Sequence, residues 1–157
     1  MGNAFLLFKI LHIFGVVIFL GNIIITGWWK VMADRTGNAS VIAFAQRQVT
    51  LTDFVFTAGG ATLLLAAGIS DAAIAHMDIW GTSWLEWGSG LFIASGVIWV
   101  TVLIPLQIVQ ARMARRFAAG GAIPARYWLL GKLWVGFGTL ATVLPLFNLY
   151  WMVVRPN

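Results

Sequence analysis

Four apolar stretches, each long enough to cross a lipid bilayer, dominate this chain and leave it few ways to fold. They run from about Ala4 to Trp29, Leu51 to Ala75, Leu85 to Val109 and Tyr127 to Val154. A membrane helix needs about 20 predominantly apolar residues. Four strands cannot close a lipid-exposed barrel, and barrel strands alternate in polarity instead of running apolar. The expected fold is therefore an all-α integral membrane protein: a single domain over residues 1–157, built as a four-transmembrane-helix bundle. Composition points the same way, with 61% hydrophobic and 10% charged residues and a mean hydropathy of +0.90. A soluble domain of this size must wet its surface and has no room to hide so much apolar surface. Disorder requires the opposite composition.

The first stretch reads as a retained helix. Its apolar part exceeds the roughly 7–15 residues of a signal-peptide core, and Lys9 lies within it. There is no cysteine, which excludes disulfides, thiolate metal sites and iron–sulfur clusters.

Basic residues set the expected orientation. Lys30, Arg35 and Arg47 fall in the first connection and Arg112, Arg115, Arg116 and Arg126 in the third, whereas the second carries Asp71, Asp78 and Glu86. The positive-inside rule then puts the first and third connections in the cytoplasm and both termini on the outer, periplasmic side. The net charge of +5 accordingly reads as cytoplasmic loops facing anionic headgroups. The lipid bilayer is the expected partner, with no nucleic acid. Trp28, Trp29 and Trp128 at one set of helix ends and Trp80, Trp84, Trp87 and Trp151 at the other form an interfacial belt.

Local signals refine the helices. Asn38 or Ser40 caps a helix starting near Ala39, which extends the second span into the cytoplasm. Gly59-Gly60 permits a bend in it. The stretch Phe117 to Arg126 is a loop followed by a helix start. Pro105 and Pro145 lie inside the third and fourth spans, where neighbouring helices can absorb a kink.

Polar groups inside a span cost a few kcal/mol unless partnered or used. Seven stand out: Lys9, His12, Asn22, Asp53, Asp71, Lys132 and Asn148. Lys9, His12, Gly15, Phe19, Asn22 and Thr26 share one face of the first helix. Asp53, Thr57, Gly60, Leu64, Gly68 and Asp71 share one face of the second. Depth in the membrane pairs Lys9 with Asp71 at the outer end and Asp53 with Lys132 at the cytoplasmic end, with Arg47 or Arg126 as substitute partners for Asp53. Such pairs either fix helix register, line a proton or ion path, or give way to lysines that snorkel to water. His12, two turns into the membrane, suits a haem ligand, a metal ligand, a proton relay or a simple hydrogen bond. His76, just past the outer end of the second helix, is the one histidine available to join it. No nucleophile–base set, phosphate loop or recognised metal motif is present.

Four segments carry a resemblance. They are Phe8-Lys9-Ile10-Leu11-His12-Ile13-Phe14-Gly15 followed by Gly21, Val49 to Thr57, Pro124 to Trp134, and Tyr150 to Pro156. Together they are similar to a bacterial inner-membrane family known as domain of unknown function 2269. The resemblance implies a multi-pass protein of the bacterial cytoplasmic (inner) membrane and no particular activity. The Lys9-x-x-His12-x-x-Gly15 opening also resembles the first helix of haem-binding protoporphyrinogen oxidases of the HemJ type, and of copper-resistance D-type membrane proteins. In the former a first-helix histidine ligates haem b, which implies haem b at His12, with His76 as a possible second ligand. That family also uses a lysine on a later helix. Here the later intramembrane lysine is Lys132, expected at the opposite membrane face from His12.

Three functional expectations follow. The first is a non-catalytic accessory or assembly component of a membrane complex, or a self-associating homo-oligomer. The second is a haem-b-binding redox protein using His12. The third is a small transporter or proton path along the first two helices. The chain reads as a binding or structural component more readily than as an enzyme.

Overall fold

The computed structural model describes residues 2–155. Four helices long and apolar enough to span a membrane account for nearly all of them: α1 (Asn3–Arg35), α2 (Ala39–Ile74), α3 (Ser83–Ala118) and α4 (Ala125–Val154). No strand occurs among the described residues. Large apolar side chains such as Val17, Phe44 and Val153 stand exposed around the outside, as a lipid-facing surface requires.

Three helices run well past the apolar stretches. α1 continues six residues beyond Trp29 to Arg35, and α3 nine beyond Val109 to Ala118. The membrane limits apolar content but not helix length, so polar residues at its edge stay helical. α2 starts at Ala39 because Asn38 caps it: its Oδ1 accepts from the backbone N–H of Ser40 at 3.0 Å and of Val41 at 3.3 Å.

Both middle helices contain a wider π turn, at Asp53–Ala58 in α2 and Trp99–Leu103 in α3. The second has a visible cause. Pro105 has no N–H and its ring crowds the carbonyl of Thr101, and the looser turn relieves that contact. The turn also has a consequence for packing. At 3.6 residues per turn, a step of four drifts by about 40°. The π turn absorbs the drift, so Ser95, Leu103 and Gln107 all stay buried. Pro145 is handled differently. It lies within an unbroken α4, and the carbonyl it leaves free, that of Ala141, accepts from Ser95 Oγ at 2.7 Å.

α1 packs along α2, and α3 along α4. The two pairs meet where residues 39–52 of α2 lie against 104–118 of α3. This is the basic end, with the connections 36–38 and 119–124. Ile42, Ala114, Phe117 and Tyr127 form its apolar core. Toward the opposite end, residues 59–74 pack on α1 and residues 83–98 on α4, and not on each other. There α1 and α2 approach backbone to backbone. A Cβ on Gly15 would sit 2.6 Å from Leu64 N, and one on Gly60 2.8 Å from Phe19 N. Only glycine allows that contact.

Candidate functional site

The buried polar side chains gather in the half of the bundle nearest the basic end. α1 supplies Asn22, Thr26 and Lys30 at steps of four, the helical repeat that keeps them on one face. α2 supplies Gln46, Asp53 and Thr57, α3 supplies Gln107 and Gln110, and α4 supplies Tyr127.

Asp53 is the hub of the inner group. Its Oδ1 accepts from Asn22 Nδ2 at 3.1 Å and from Thr57 Oγ1 at 3.0 Å, while Oδ2 accepts from Gln107 Nε2. Asn22 Nδ2 also donates to Thr57 Oγ1 at 2.9 Å. Three helices are thus tied by one carboxyl whose partners are all neutral. Nearer the basic end, Lys30 Nζ lies 2.9 Å from Asp34 Oδ2 and 3.2 Å from the Tyr127 hydroxyl, which itself donates to Asp34 Oδ1 at 2.8 Å. The ammonium also lies over the rings of Tyr127 and Trp134, at 5.1 and 5.6 Å from their centroids. Lys30 is 1% exposed, so its charge rests on this cage.

Beside Asp53 opens a cavity of about 590 Å³. Its floor includes Asp53 and Thr57, and its walls are mainly apolar, from α1, α3 and α4. It opens on the apolar flank of the bundle, where the lining residues Ile24, Trp28, Val135 and Val143 are exposed. Phe19 and Phe92, with ring centroids 5.6 Å apart, line it together. Both π turns border it, through Asp53 and Thr57 on one side and Trp99 and Leu103 on the other. The indole Nε1 groups of Trp99 and Trp134, two more lining residues, are buried without a protein acceptor. At the basic end a second cleft, of about 480 Å³, is lined by Arg112, Arg116 and Arg126.

The structure corrects the charge pairing expected from depth. Lys30–Asp34 is the only ion pair among the described residues. Lys132 is exposed on α4, so it is no partner of Asp53, and Arg47 and Arg126 are exposed as well. The reason is angular: α4 buries Tyr127, Gly131, Trp134 and Ala141, and position 132 points away from that face. At the other end Lys9 is exposed, 5.8 Å from the Phe5 ring, and makes no ion pair with Asp71, whose Oδ1 is buried without a partner.

His12 Nδ1 lies 2.7 Å from the carbonyl oxygen of Leu64. A carbonyl only accepts, so Nδ1 carries the proton and Nε2 keeps its lone pair in the neutral ring. Gly68 makes room for the imidazole: a Cβ there would lie 2.7 Å from Nδ1. His76 is exposed, with φ of 54°, at the left-handed position of the α2 cap. There its N–H reaches the Ala73 carbonyl and that of Met77 the Ala72 carbonyl. Asn148 Oδ1 is buried against Gly88 with no donor. No group of three or more His, Asp or Glu side chains able to hold a metal gathers among the described residues.

Sequence reasoning missed Lys30, Asp34, Gln46, Gln107, Gln110 and Tyr127. One signal was available: Asn22, Thr26, Lys30 and Asp34 continue the same repeat of four past the apolar stretch.

No curated protein and no solved structure matches the chain. A family model described as a predicted integral membrane protein (DUF2269) matches residues 6–156, almost the whole sequence. The chain therefore belongs to this family of integral membrane proteins.

Proposed function

We propose that this protein is a non-catalytic component of the bacterial cytoplasmic membrane, with both termini outside, that holds a membrane-soluble small molecule between its helices. The observation that carries this reading is the flank cavity, apolar in its walls and polar at Asp53 and Thr57. Its size lies within the roughly 300–1,000 Å³ of small-molecule sites. The indole donors of Trp99 and Trp134 lack acceptors, and a buried unpaired donor costs about 1–3 kcal/mol. A ligand with an apolar body and an oxygen acceptor relieves that cost. The orientation rests on the basic residues of the first and third connections, and membership of a larger complex or a homo-oligomer on the same non-catalytic reading.

The test is native mass spectrometry of the chain released from lipid nanodiscs made of its own membranes. Wild type should carry a small-molecule adduct. Gly96→Leu and Gly138→Leu should lose it, since both glycines line the cavity with open space where a side chain would grow. No adduct in wild type, or one that survives both changes, contradicts the reading. Co-purification from native membranes tests membership of a complex.

A second reading, haem b at His12, is favoured by the Nδ1 bond to Leu64, which leaves Nε2 free to coordinate. Haem would add electron transfer. A Soret band in wild type that His12→Ala abolishes supports it; no band, or an unchanged one, removes it.

A further inference from the structure

Gln46 and Gln110 are 1% and 0% exposed, and none of their four side-chain amide atoms has a protein partner. Unpaired buried amides are costly, and lipid chains offer neither donors nor acceptors. Water offers both. The surroundings are polar enough to hold it. Gln110 Nε2 and Asp34 Oδ2 lie 3.5 and 3.8 Å from the point a Gly131 Cβ would occupy. The Gln110 amide thus adjoins the Lys30–Asp34–Tyr127 cage, and the missing side chain at 131 leaves the space. One turn along α3, Gln107 donates to Asp53, and Gln46 stands two turns before Asp53 on α2.

Polar groups therefore form a column from Asp34, whose side chain is 18% exposed, inward to Asp53. Beyond Asp53 and its partners Asn22 and Thr57, Gly15 on Leu64 and Gly60 on Phe19 close α1 against α2, and the cavity lining toward α3 and α4 is mainly apolar. The groups that face Asp53 are Asn22, Thr57 and Gln107, none of which titrates. The titratable groups of the column are Lys30, Asp34 and Tyr127.

We infer that Gln46 and Gln110 line a hydrated inlet through which Asp53 exchanges protons with the aqueous phase at the basic end only. Water gives a proton to the carboxylate and takes it back, so nothing is consumed and no net transport follows. The inlet stands whether or not the flank cavity holds a ligand. It places Asp53 between that cavity and one face of the membrane.

Two measurements on the full chain in lipid test it. The first is X-ray radiolytic hydroxyl labelling read by mass spectrometry, which modifies side chains beside bound water. Fully enclosed Tyr127 should be labelled in wild type, and at least five-fold more slowly in the Gln46→Leu/Gln110→Leu double variant. Should the double variant fail to fold, Gln46→Leu alone should still slow labelling at least two-fold. An unlabelled Tyr127 in wild type, or a rate untouched by the substitutions, overturns the inlet. The second is infrared spectroscopy of oriented vesicles, following the carboxyl band that Asp53→Asn removes. The band should follow pH jumps in the bath at the basic end. A band that follows the opposite bath, or neither, overturns the proposal.

Discussion

The two halves of this bundle are held together by different physics. Near the basic end, helices are joined through side chains: Asp53 ties α1, α2 and α3, and Lys30 ties α1 to α4 through Tyr127. Toward the opposite end, α1 and α2 are joined through backbone contact at Gly15 and Gly60, with the His12–Leu64 bond beside it. Apolar burial gives helices little reason to associate in lipid, so they rely on close packing and hydrogen bonds. Side-chain bonding dominates one half and backbone contact the other, with His12–Leu64 the one side-chain bond between α1 and α2 among the described residues of the close-packed half. Close packing needs no buried charge, so the concentration of polar side chains in one half, beside a cavity, calls for a purpose beyond adhesion.

The largest effect is expected from unbalancing the Lys30 cage. Asp34→Ala leaves a buried ammonium with the Tyr127 hydroxyl and two aromatic rings but no counter-ion, and should lower stability by about 3 kcal/mol in detergent unfolding. The double change Lys30→Met/Asp34→Leu should cost less than Asp34→Ala alone. Equal or greater loss in the double variant would mean the pair contributes more than its desolvation cost. In the other half, Gly15→Val drives a side chain into the backbone of Leu64 and should cost about 2 kcal/mol by the same measurement. A neutral Gly15→Val would show that the helices are free to separate there. A smaller effect is expected where the halves join. Ser95→Ala removes the donor that replaces the Pro145 N–H at Ala141 and should cost about 1 kcal/mol, restored in Ser95→Ala/Pro145→Ala. The smallest effect belongs to Lys9→Gln and Lys132→Gln, both exposed, which should leave the unfolding midpoint unchanged.

What the sequence discloses follows from which physical constraint each feature obeys. The four apolar helices are legible because bilayer thickness sets their length. The Asn38 cap is legible because capping is local chemistry. Residue depth is also readable, since rise per residue is fixed. Depth gives height in the membrane but not angle around a helix, and the pairing of Asp53 with Lys132 fails for that reason. Lys30 stayed hidden because it follows Trp28-Trp29 and so reads as the start of a loop, whereas α1 carries the stripe of Asn22 and Thr26 another two turns. Of the two π turns, the one at Trp99 has a mark in the sequence, Pro105, and the one at Asp53 has none of that kind. Gln107 and Gln110 carry no charge, so nothing in composition marks them, yet one completes Asp53 and the other lies unpaired beside Asp34.

Asp53 is held by neutral amides from neighbouring helices and not by a cation. A double-mutant cycle measures this directly, using detergent unfolding of Asp53→Ala with Gln107→Leu and, separately, with Lys132→Met. The structure predicts a coupling of about 1–2 kcal/mol between Asp53 and Gln107, and additivity between Asp53 and Lys132. Additivity with Gln107, or coupling with Lys132, would contradict it.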